Sequence, residues 1–221
     1  MTKTAYFIRH GETEFNRDMR LQGWLDSPLS DRGRAQVRSL AQPLRALGIR
    51  FAWVSPLGRA QETGEILRQE LRIRLETLDE LREVSFGDFE GKTLPELDRI
   101  YPGQWEARQA DKWSYCPPGG EANKDAVPRG RNVVRRIEEY PEKEAALIVA
   151  HFAINRIILA LLAGLSPRET VEMNIPHDVI YRAQKMDGTW SISHLSAKES
   201  EKGFIPNWLL QKQPENLPIG E

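Results

Sequence analysis

The feature that most constrains the fold is one long apolar run, AALIVAHFAINRIILALLAGL, at residues 145–165. The run has nearly the length of a membrane span, but His151, Asn155 and Arg156 lie in its middle. An arginine at the centre of a membrane-spanning helix costs about 2.5–3.5 kcal/mol. The run therefore predicts a buried strand, a polar turn and a helix.

Strand-like and helical segments alternate along the chain. The strand-like segments are short and rich in β-branched or aromatic residues, at 4–8, 51–54, 75–78 and 146–150. Helical patterns follow Ser30, with a stop at Gly48, and cover 57–71. Such alternation predicts an α/β fold, a three-layer α/β/α sandwich whose central sheet is mostly parallel.

Turn and cap signals complete this prediction. Asp187-Gly188 lies between two strand-like segments, at 179–185 and 189–194, and predicts a hairpin of antiparallel strands. Capping-box sequences at 93–96 and 166–169 predict two shorter helices. Pro43 and Pro128 fall inside helical patterns and are expected to kink or end them.

The chain of 221 residues is expected to form a single domain, because no long polar tract divides it. Residues 85–125 are less regular and read as an irregular lid insertion over the sheet. In the tail, 196–221, the apolar Phe204, Ile205 and Trp208 are expected to dock on the body or on a second subunit, so a homodimer is left open.

Charge and cysteine content limit the partners. The formal net charge of -1 gives no global attraction to nucleic acid or to an anionic membrane. Cys116 is the one cysteine, so no intrachain disulfide can form, and the N-terminal apolar run is too short for a signal peptide. A cytoplasmic location is therefore expected, and any affinity for anions must be local.

Cationic and imidazole side chains follow three of the predicted strands. Arg9 and His10 come after the first strand, Arg59 begins the helix after the second, and His151 follows the strand at 146–150. Because ligands of open α/β sheets bind beyond the carboxyl ends of the strands, these four residues are expected at one site.

This set of residues fits phosphoryl transfer. The guanidinium forks of two arginines match phosphate oxygens, and a helix N-terminus adds N–H donors. An imidazole can attack phosphorus and hold the phosphoryl group covalently. Glu83, between a strand-like piece and a glycine-punctuated loop, is the best candidate for the acid that protonates the leaving alkoxide, and Glu80 is its rival.

Each residue taken singly has a plainer structural interpretation. Arg59 could pair with Glu62 or Glu83, Glu83 could be a solvated surface carboxylate, and His151 could be a core histidine. His177 could approach the pocket, but a structural role is favoured for it.

The motifs RHGETEFN, LQGWLDSPLSDRGRAQ, VSPLGRAQET, LREVSFGDFEG, PPGGE and LIVAHFAINRII, in this order, resemble those of the histidine phosphatase superfamily, with its phosphoglycerate-mutase-like fold. The resemblance covers most of the chain. It implies that His10 is the phosphorylated nucleophile, Glu83 the proton donor, and Arg9, Arg59 and His151 the phosphate clamp. It also implies that three further residues line the phosphate or substrate pocket: Asn16, Gln22 and Gly23.

The sequence departs from the family pattern at a few positions. Phe152 replaces the glycine usual after the second histidine, which places a ring at or near the mouth of the site and bears on substrate shape. Ala122 replaces a serine, while Pro128 and Gly130 are expected to interrupt a helix that is usually continuous.

The expected function is hydrolysis of a small phosphomonoester, such as a sugar phosphate, a phosphoglycerate or α-ribazole phosphate, without a metal or other cofactor. In the family, mutases carry a longer basic insertion between the acid and the second histidine. The segment between Glu83 and His151 is shorter than this, which favours the phosphatase branch. A phosphoglycerate-type mutase and a phospho-ligand binding module without turnover remain the alternatives. Motifs for metal centres, nucleotide-binding loops and serine hydrolases are missing from the sequence.

Overall fold

The computed structural model of the chain describes residues 3–141, 144–197 and 204–206. Within these ranges the strands form one seven-stranded sheet of order β3-β2-β4-β1-β5-β6-β7. The strands are β1 (Lys3–Arg9), β2 (Phe51–Val54), β3 (Arg74–Thr77), β4 (Ala145–Ala150), β5 (Val179–Met186), β6 (Thr189–Ser196) and β7 (Ile205–Pro206). Strands β3, β2, β4 and β1 are mutually parallel, and the other three add antiparallel pairs.

Helices cover both faces of this sheet, as the alternation of segments predicts. They are α1 (Glu14–Arg17), α2 (Asp31–Ala46), α3 (Gly58–Leu71), α4 (Leu94–Ile100), α5 (Gln104–Ala110), α6 (Val127–Glu139), α7 (Phe152–Ala163) and α8 (Pro167–Glu172). The mostly parallel α/β sandwich is confirmed.

Two apolar cores lie on opposite faces of the sheet because successive strand residues point to opposite sides. Phe7 of β1 and its β4 partner Ile148 belong to the core beneath α6 and α7. The next pair, Ile8 and Val149, belongs to the core beneath α2 and α3. All four side chains are fully buried, which fixes the register of the central strands.

The predicted caps are present at the helix N-termini. The Ser30 hydroxyl accepts from the Gly33 amide at 3.0 Å at the start of α2. Thr93 and Ser166 form capping boxes at α4 and α8. The hairpin prediction also holds, since Asp187 and Gly188 take positive φ angles of 49° and 84° between β5 and β6.

Neither Pro43 nor Pro128 ends its helix, which corrects that part of the prediction. Helix α2 continues past Pro43 to Ala46, because burial of Leu40, Ala41 and Leu44 holds this face of the helix against the sheet. Pro128 stands in the first turn of α6 and does not interrupt it, since the first turn needs no N–H from that residue.

The insertion at 85–125 is more regular than predicted. It contains α4 and α5, and a small apolar cluster of Leu21, Phe89 and Leu97 packs the region against the loop after α1. Its other turns are short 3₁₀ segments at Gly87–Phe89 and Asn123–Ala126.

The tail is described only in part. The Phe204 ring lies 6.0 Å from the ring of Tyr6, and the Arg182 guanidinium lies 4.3 Å from the Phe204 centroid. The contact predicted for Trp208 falls outside the described residues, as does most of the segment after Ala197. Across the described ranges, none of the helices has the length and apolar character required to cross a bilayer.

Candidate active site

The carboxyl ends of β1, β4 and β2 bring the predicted residues together. The rings of His10, after β1, and His151, after β4, have centroids 5.1 Å apart. Arg59 Nε, in the first turn of α3 after β2, lies 3.3 Å from His10 Nε2. The sheet order explains why His10, His151 and Arg59 lie together, since β4 lies directly between β1 and β2.

His10 is held with one nitrogen available. Its Nδ1 lies 2.8 Å from the Gly11 carbonyl, which can only accept, so Nδ1 carries the proton. Its Nε2 is then the unprotonated nitrogen and accepts from Arg59. Burial, followed by the charge of Arg59, holds the pKa of His10 well below its usual value. The imidazole is therefore neutral and nucleophilic at neutral pH.

Gly11 allows helix α2 to approach the loop that carries His10. A Cβ at Gly11 would lie 2.6 Å from the Gly33 carbonyl oxygen, and a Cβ at Gly33 would lie 1.9 Å from that of Glu12. The two glycines therefore permit backbone contact between α2 and the loop after β1. In this position the Gly11 amide donates to Thr63 Oγ1 of α3 at 3.1 Å.

Arg59 is buried, with 1% of its surface exposed, and its guanidinium is held by the loop after α1. It donates from Nη2 to the Gly23 carbonyl at 2.6 Å and from Nη1 to the Leu25 carbonyl at 3.1 Å. Nη1 also pairs with Asp26 Oδ1 at 3.2 Å. Burial lowers the pKa of Arg59, while Asp26 opposes that shift.

Arg9 points toward the same site with few fixed partners. Its Nη1 donates to the Ile175 carbonyl at 3.4 Å, and its buried Nε has no hydrogen-bond partner among the described residues. The guanidinium carbon lies 5.2 Å from the centroid of the Phe152 ring. Burial lowers the pKa of Arg9 to about 10, against the opposing effect of Glu83, so the side chain remains cationic.

Glu83 caps the helix that follows His151. Its carboxylate accepts from the Ala153 amide at 3.0 Å and the Ile154 amide at 3.1 Å, in the first turn of α7, and from the Val84 amide at 2.9 Å. Glu83 is buried, with only 7% of its surface exposed. Its rival Glu80 instead forms a 3.9 Å ion pair with Arg136.

The loop that carries Glu83 is fixed through its backbone. The Glu83 carbonyl accepts from Trp24 Nε1 at 2.7 Å and from Arg129 Nη2 at 3.1 Å. Arg129 also forms a forked ion pair with Glu121, with contacts of 2.8 and 3.0 Å. Carboxylate and backbone of Glu83 are therefore both restrained.

His151 lies at the N-terminus of α7 and is fully buried. Its Nε2 lies 2.7 Å from Ser55 Oγ. Burial, then Arg59 and Arg9, hold the pKa of His151 well below its usual value. It therefore takes part in the site as a neutral ring.

The three residues that the resemblance assigns to the phosphate or substrate pocket differ from one another in their contacts. Asn16 is buried and serves the capping box of α1, where its Oδ1 accepts from the Thr13 amide at 3.0 Å. Gln22 is buried with an Oε1 that has no partner among the described residues. Gly23 reaches the site through its carbonyl, which holds Arg59.

The sequence analysis overlooked two residues at this site, Asp26 and Ser55. Asp26 caps α3 from a distant loop, where its carboxylate accepts from the Gly58 and Arg59 amides. The one sequence signal for this cap is that Leu57, at the N-cap position of α3, has no side chain that could cap the helix. Ser55 contacts His151. His177 Nδ1 lies 2.5 Å from the His10 backbone carbonyl, and the two rings have centroids 5.4 Å apart, so His177 lies beside the site and contacts it through the backbone.

A second group of cations lies beside the first. Arg156 is buried, and burial lowers its pKa to about 10. Burial also lowers the pKa of Arg108 to about 10, with a further contribution from Arg156. The pKa of Lys112 is lowered by burial, then by the charges of Arg156 and Arg108. We call Arg108, Lys112 and Arg156 the second cation cluster.

Aromatic rings line this cluster. The guanidinium carbon of Arg156 lies 4.9 Å from the Phe152 centroid, and Arg9 approaches the same ring. Arg108 lies 4.7 Å from the Phe86 centroid and 5.1 Å from the Trp105 centroid. Phe152 therefore contacts one arginine of each cation group. In the described part of the chain, no group of three or more His, Cys, Asp and Glu side chains could hold a metal ion.

Comparisons with known proteins show which family this chain resembles. A model of the histidine phosphatase superfamily (branch 1) matches residues 5–198. The chain is 33% identical to the 6-phosphofructo-2-kinase/fructose-2,6-bisphosphatase of Gallus gallus over 80% of its length, but it spans only 37% of that relative. It is 32% identical to the 2,3-bisphosphoglycerate-dependent phosphoglycerate mutase of Brucella melitensis biotype 2, over 82% of this chain and 93% of that one.

A solved structure shows the same fold. The putative alpha-ribazole-5'-P phosphatase of Escherichia coli superposes with a TM-score of 0.80 at 23% sequence identity, covering 88% of this chain and 96% of that one. Together with the family match across most of the chain, these comparisons establish that the chain belongs to the histidine phosphatase superfamily.

Proposed function

We propose that this chain is a phosphomonoester hydrolase that works through a phosphohistidine at His10. The observation that carries the proposal is the contact between Arg59 Nε and the unprotonated Nε2 of His10, at 3.3 Å. It places a neutral nucleophile beside a buried cation that can neutralise phosphoryl oxygens. Arg9 and His151 extend this environment, and charge stabilisation by such groups supplies most of the catalysis in phosphoryl transfer.

The first step forms a bond between His10 Nε2 and phosphorus and breaks the ester P–O bond. Glu83, in its protonated form, gives its proton to the departing alkoxide. In the second step the Glu83 carboxylate removes a proton from water, whose oxygen attacks phosphorus and breaks the P–N bond. Inorganic phosphate leaves, and His10 returns to its neutral form.

The second cation cluster favours a substrate with another anionic group. Burial lowers the pKa of Arg108 and of Arg156, and the Glu83 carboxylate opposes this shift for both. The carboxylate that opposes the lowering for Lys112 is Glu172. Phe152 links this cluster to Arg9, so a phosphate at His10 and a second anion could be bound together. Phosphoglycerates and sugar bisphosphates meet this requirement, whereas α-ribazole phosphate carries one anionic group.

The similarity to fructose-2,6-bisphosphatase and to phosphoglycerate mutase is consistent with this substrate class, since the substrates in both names carry two anionic groups. The mutase relative also supports a second candidate, transfer of the phosphoryl group back to the substrate. The length of the connection between Glu83 and His151 does not separate the two activities, because the mutase relative aligns with this chain over 93% of its own length. A dependence of phosphoglycerate interconversion on a bisphosphate primer would favour the mutase.

The test is phosphate release from a panel of phosphomonoesters, including sugar phosphates, sugar bisphosphates, phosphoglycerates and α-ribazole phosphate, in excess EDTA. We expect release by the wild type and none by His10→Ala. A ³²P-labelled substrate should leave an acid-labile label on the wild type alone. Tight binding of a phosphorylated ligand with no release from any compound would instead support a binding module.

The substrate class is tested with Arg108→Ala, using Arg38→Ala on the exposed surface of α2 as the charge-matched control. Loss of a charge-assisted contact should raise KM for substrates with two anionic groups about tenfold or more. KM for 4-nitrophenyl phosphate should stay unchanged, and the Arg38 variant should resemble the wild type. Equal effects on both kinds of substrate would contradict the second subsite.

A further inference from the structure

The contact between Ser55 and His151 joins two fully buried groups. Ser55 follows β2 and His151 follows β4, and both have 0% of their surface exposed. The distance from Ser55 Oγ to His151 Nε2 is 2.7 Å, which is a short, well-formed hydrogen bond. Either atom could supply the proton, and the surroundings decide which one does.

The hydroxyl of Ser55 is the donor in this bond. Ser55 Oγ already accepts from the Leu57 amide, at 3.4 Å. If His151 Nε2 also donated, the hydroxyl proton would have no acceptor among the described residues. A buried O–H without an acceptor is costly, so the arrangement in which the hydroxyl donates to Nε2 is favoured.

The tautomer of His151 follows from this donor assignment. A neutral imidazole carries one proton, and an Nε2 that accepts leaves it on Nδ1. The pKa of His151 is held well below its usual value by burial and by Arg59, which keeps the ring neutral. Nδ1 is buried and has no hydrogen-bond partner in the described part of the chain.

The sheet order places this N–H beside the nucleophile. Strand β4 lies between β2 and β1, so His151 lies between Ser55 and His10. With Nε2 engaged by Ser55, Nδ1 is the ring nitrogen left for a phosphoryl oxygen near His10, whose ring centroid is 5.1 Å away. Arg9 and Arg59 already supply positive charge there, so a neutral donor adds a directional bond without further charge repulsion.

We propose that Ser55 is a positioning residue that fixes the Nδ1–H tautomer of His151 for donation to the phosphoryl group. The inference rests on the proposed function for its catalytic consequence, but the tautomer itself is a property of the free protein. With the opposite tautomer, Nδ1 would turn a lone pair toward phosphoryl oxygens.

The tautomer is measured directly by long-range ¹H–¹⁵N NMR of the wild type labelled with ¹⁵N-histidine. The chain has four histidines, and the His151→Asn variant assigns the signal of interest. We expect the shift pattern of a protonated Nδ1 and an unprotonated Nε2. A protonated Nε2 in the wild type would overturn the proposal without the need for a Ser55 variant.

Kinetics test the consequence. Ser55→Ala should mix the two tautomers and lower kcat for the best substrate about tenfold or more, with a smaller change in KM. Ser55→Thr keeps the hydroxyl and should restore both the NMR pattern and most of kcat. A Ser55→Ala enzyme with wild-type kcat and an unchanged tautomer would refute the positioning role, whereas a wild type that releases no phosphate would refute the proposed function and leave the NMR result standing.

Discussion

Replacing Glu83 with Gln separates the capping role of this side chain from its proposed role in the reaction. The carboxylate accepts three backbone N–H groups, two of them in the first turn of α7, and it is the proposed acid and base of the reaction. Glutamine keeps one carbonyl oxygen as an acceptor but turns an NH₂ group toward the remaining donors. The substitution should therefore affect both stability and chemistry.

The expected stability loss follows from the lost contacts. Hydrogen bonds to a charged group contribute about 1.5–3 kcal/mol, and a negative charge at a helix N-terminus adds about 0.3–1 kcal/mol. Because Glu83 is only 7% exposed, solvent screens these interactions little. Part of the bonding survives in Gln, so urea unfolding should show a loss of about 2–3 kcal/mol.

The catalytic loss should depend on the leaving group. A positioned general acid contributes about 10²- to 10⁴-fold, so turnover of alkyl phosphates should fall by that range. 4-Nitrophenolate leaves without protonation, so Glu83→Gln should release it in a rapid burst and then stall, because the phosphohistidine lacks its base. Glu80→Gln, in the neighbouring carboxylate that pairs with Arg136, is the matched control.

Equal losses for alkyl and aryl phosphates, with no burst, would refute the acid–base role. Glu83 would then act only as the cap of α7. A burst with unchanged stability would instead refute the capping argument and leave the chemistry intact.

Two further perturbations test the buried charges of the site. Burial and the charge of Arg59 hold the pKa of both His10 and His151 well below 6.5. As the pH falls below about 6.5, the unfolded chain therefore binds more protons than the folded chain. Each histidine should then lower the free energy of unfolding by about 1.4 kcal/mol per pH unit, until its folded pKa is reached. His10→Asn should flatten this decline in urea unfolding between pH 7 and 5, and an unchanged slope would contradict the reasoning. Asp26→Ala should lower the free energy of unfolding by about 1–2 kcal/mol through the lost cap of α3. It should also weaken inhibition by inorganic phosphate several-fold, because Arg59 loses its partner. Isothermal titration with phosphate checks the second effect, and an unaltered affinity would count against it.

Local signals in the sequence predicted the elements well because the relevant interactions are local. Ser30, Thr93 and Ser166 cap helices within three residues of themselves, and Asp187-Gly188 closes its hairpin in two. Pro43 shows the limit of such reasoning, since burial of the helix face on the sheet outweighs the local preference of proline.

The sequence by itself determined most of the elements outside 85–125, the order of the motifs and the identity of His10, Arg59 and His151 as residues that follow strands. Only the tertiary structure decided which groups orient them, because Asp26 and Ser55 reach the site across long stretches of chain. Their contacts depend on strand order and on the distance between packed elements, and no local pattern specifies either quantity.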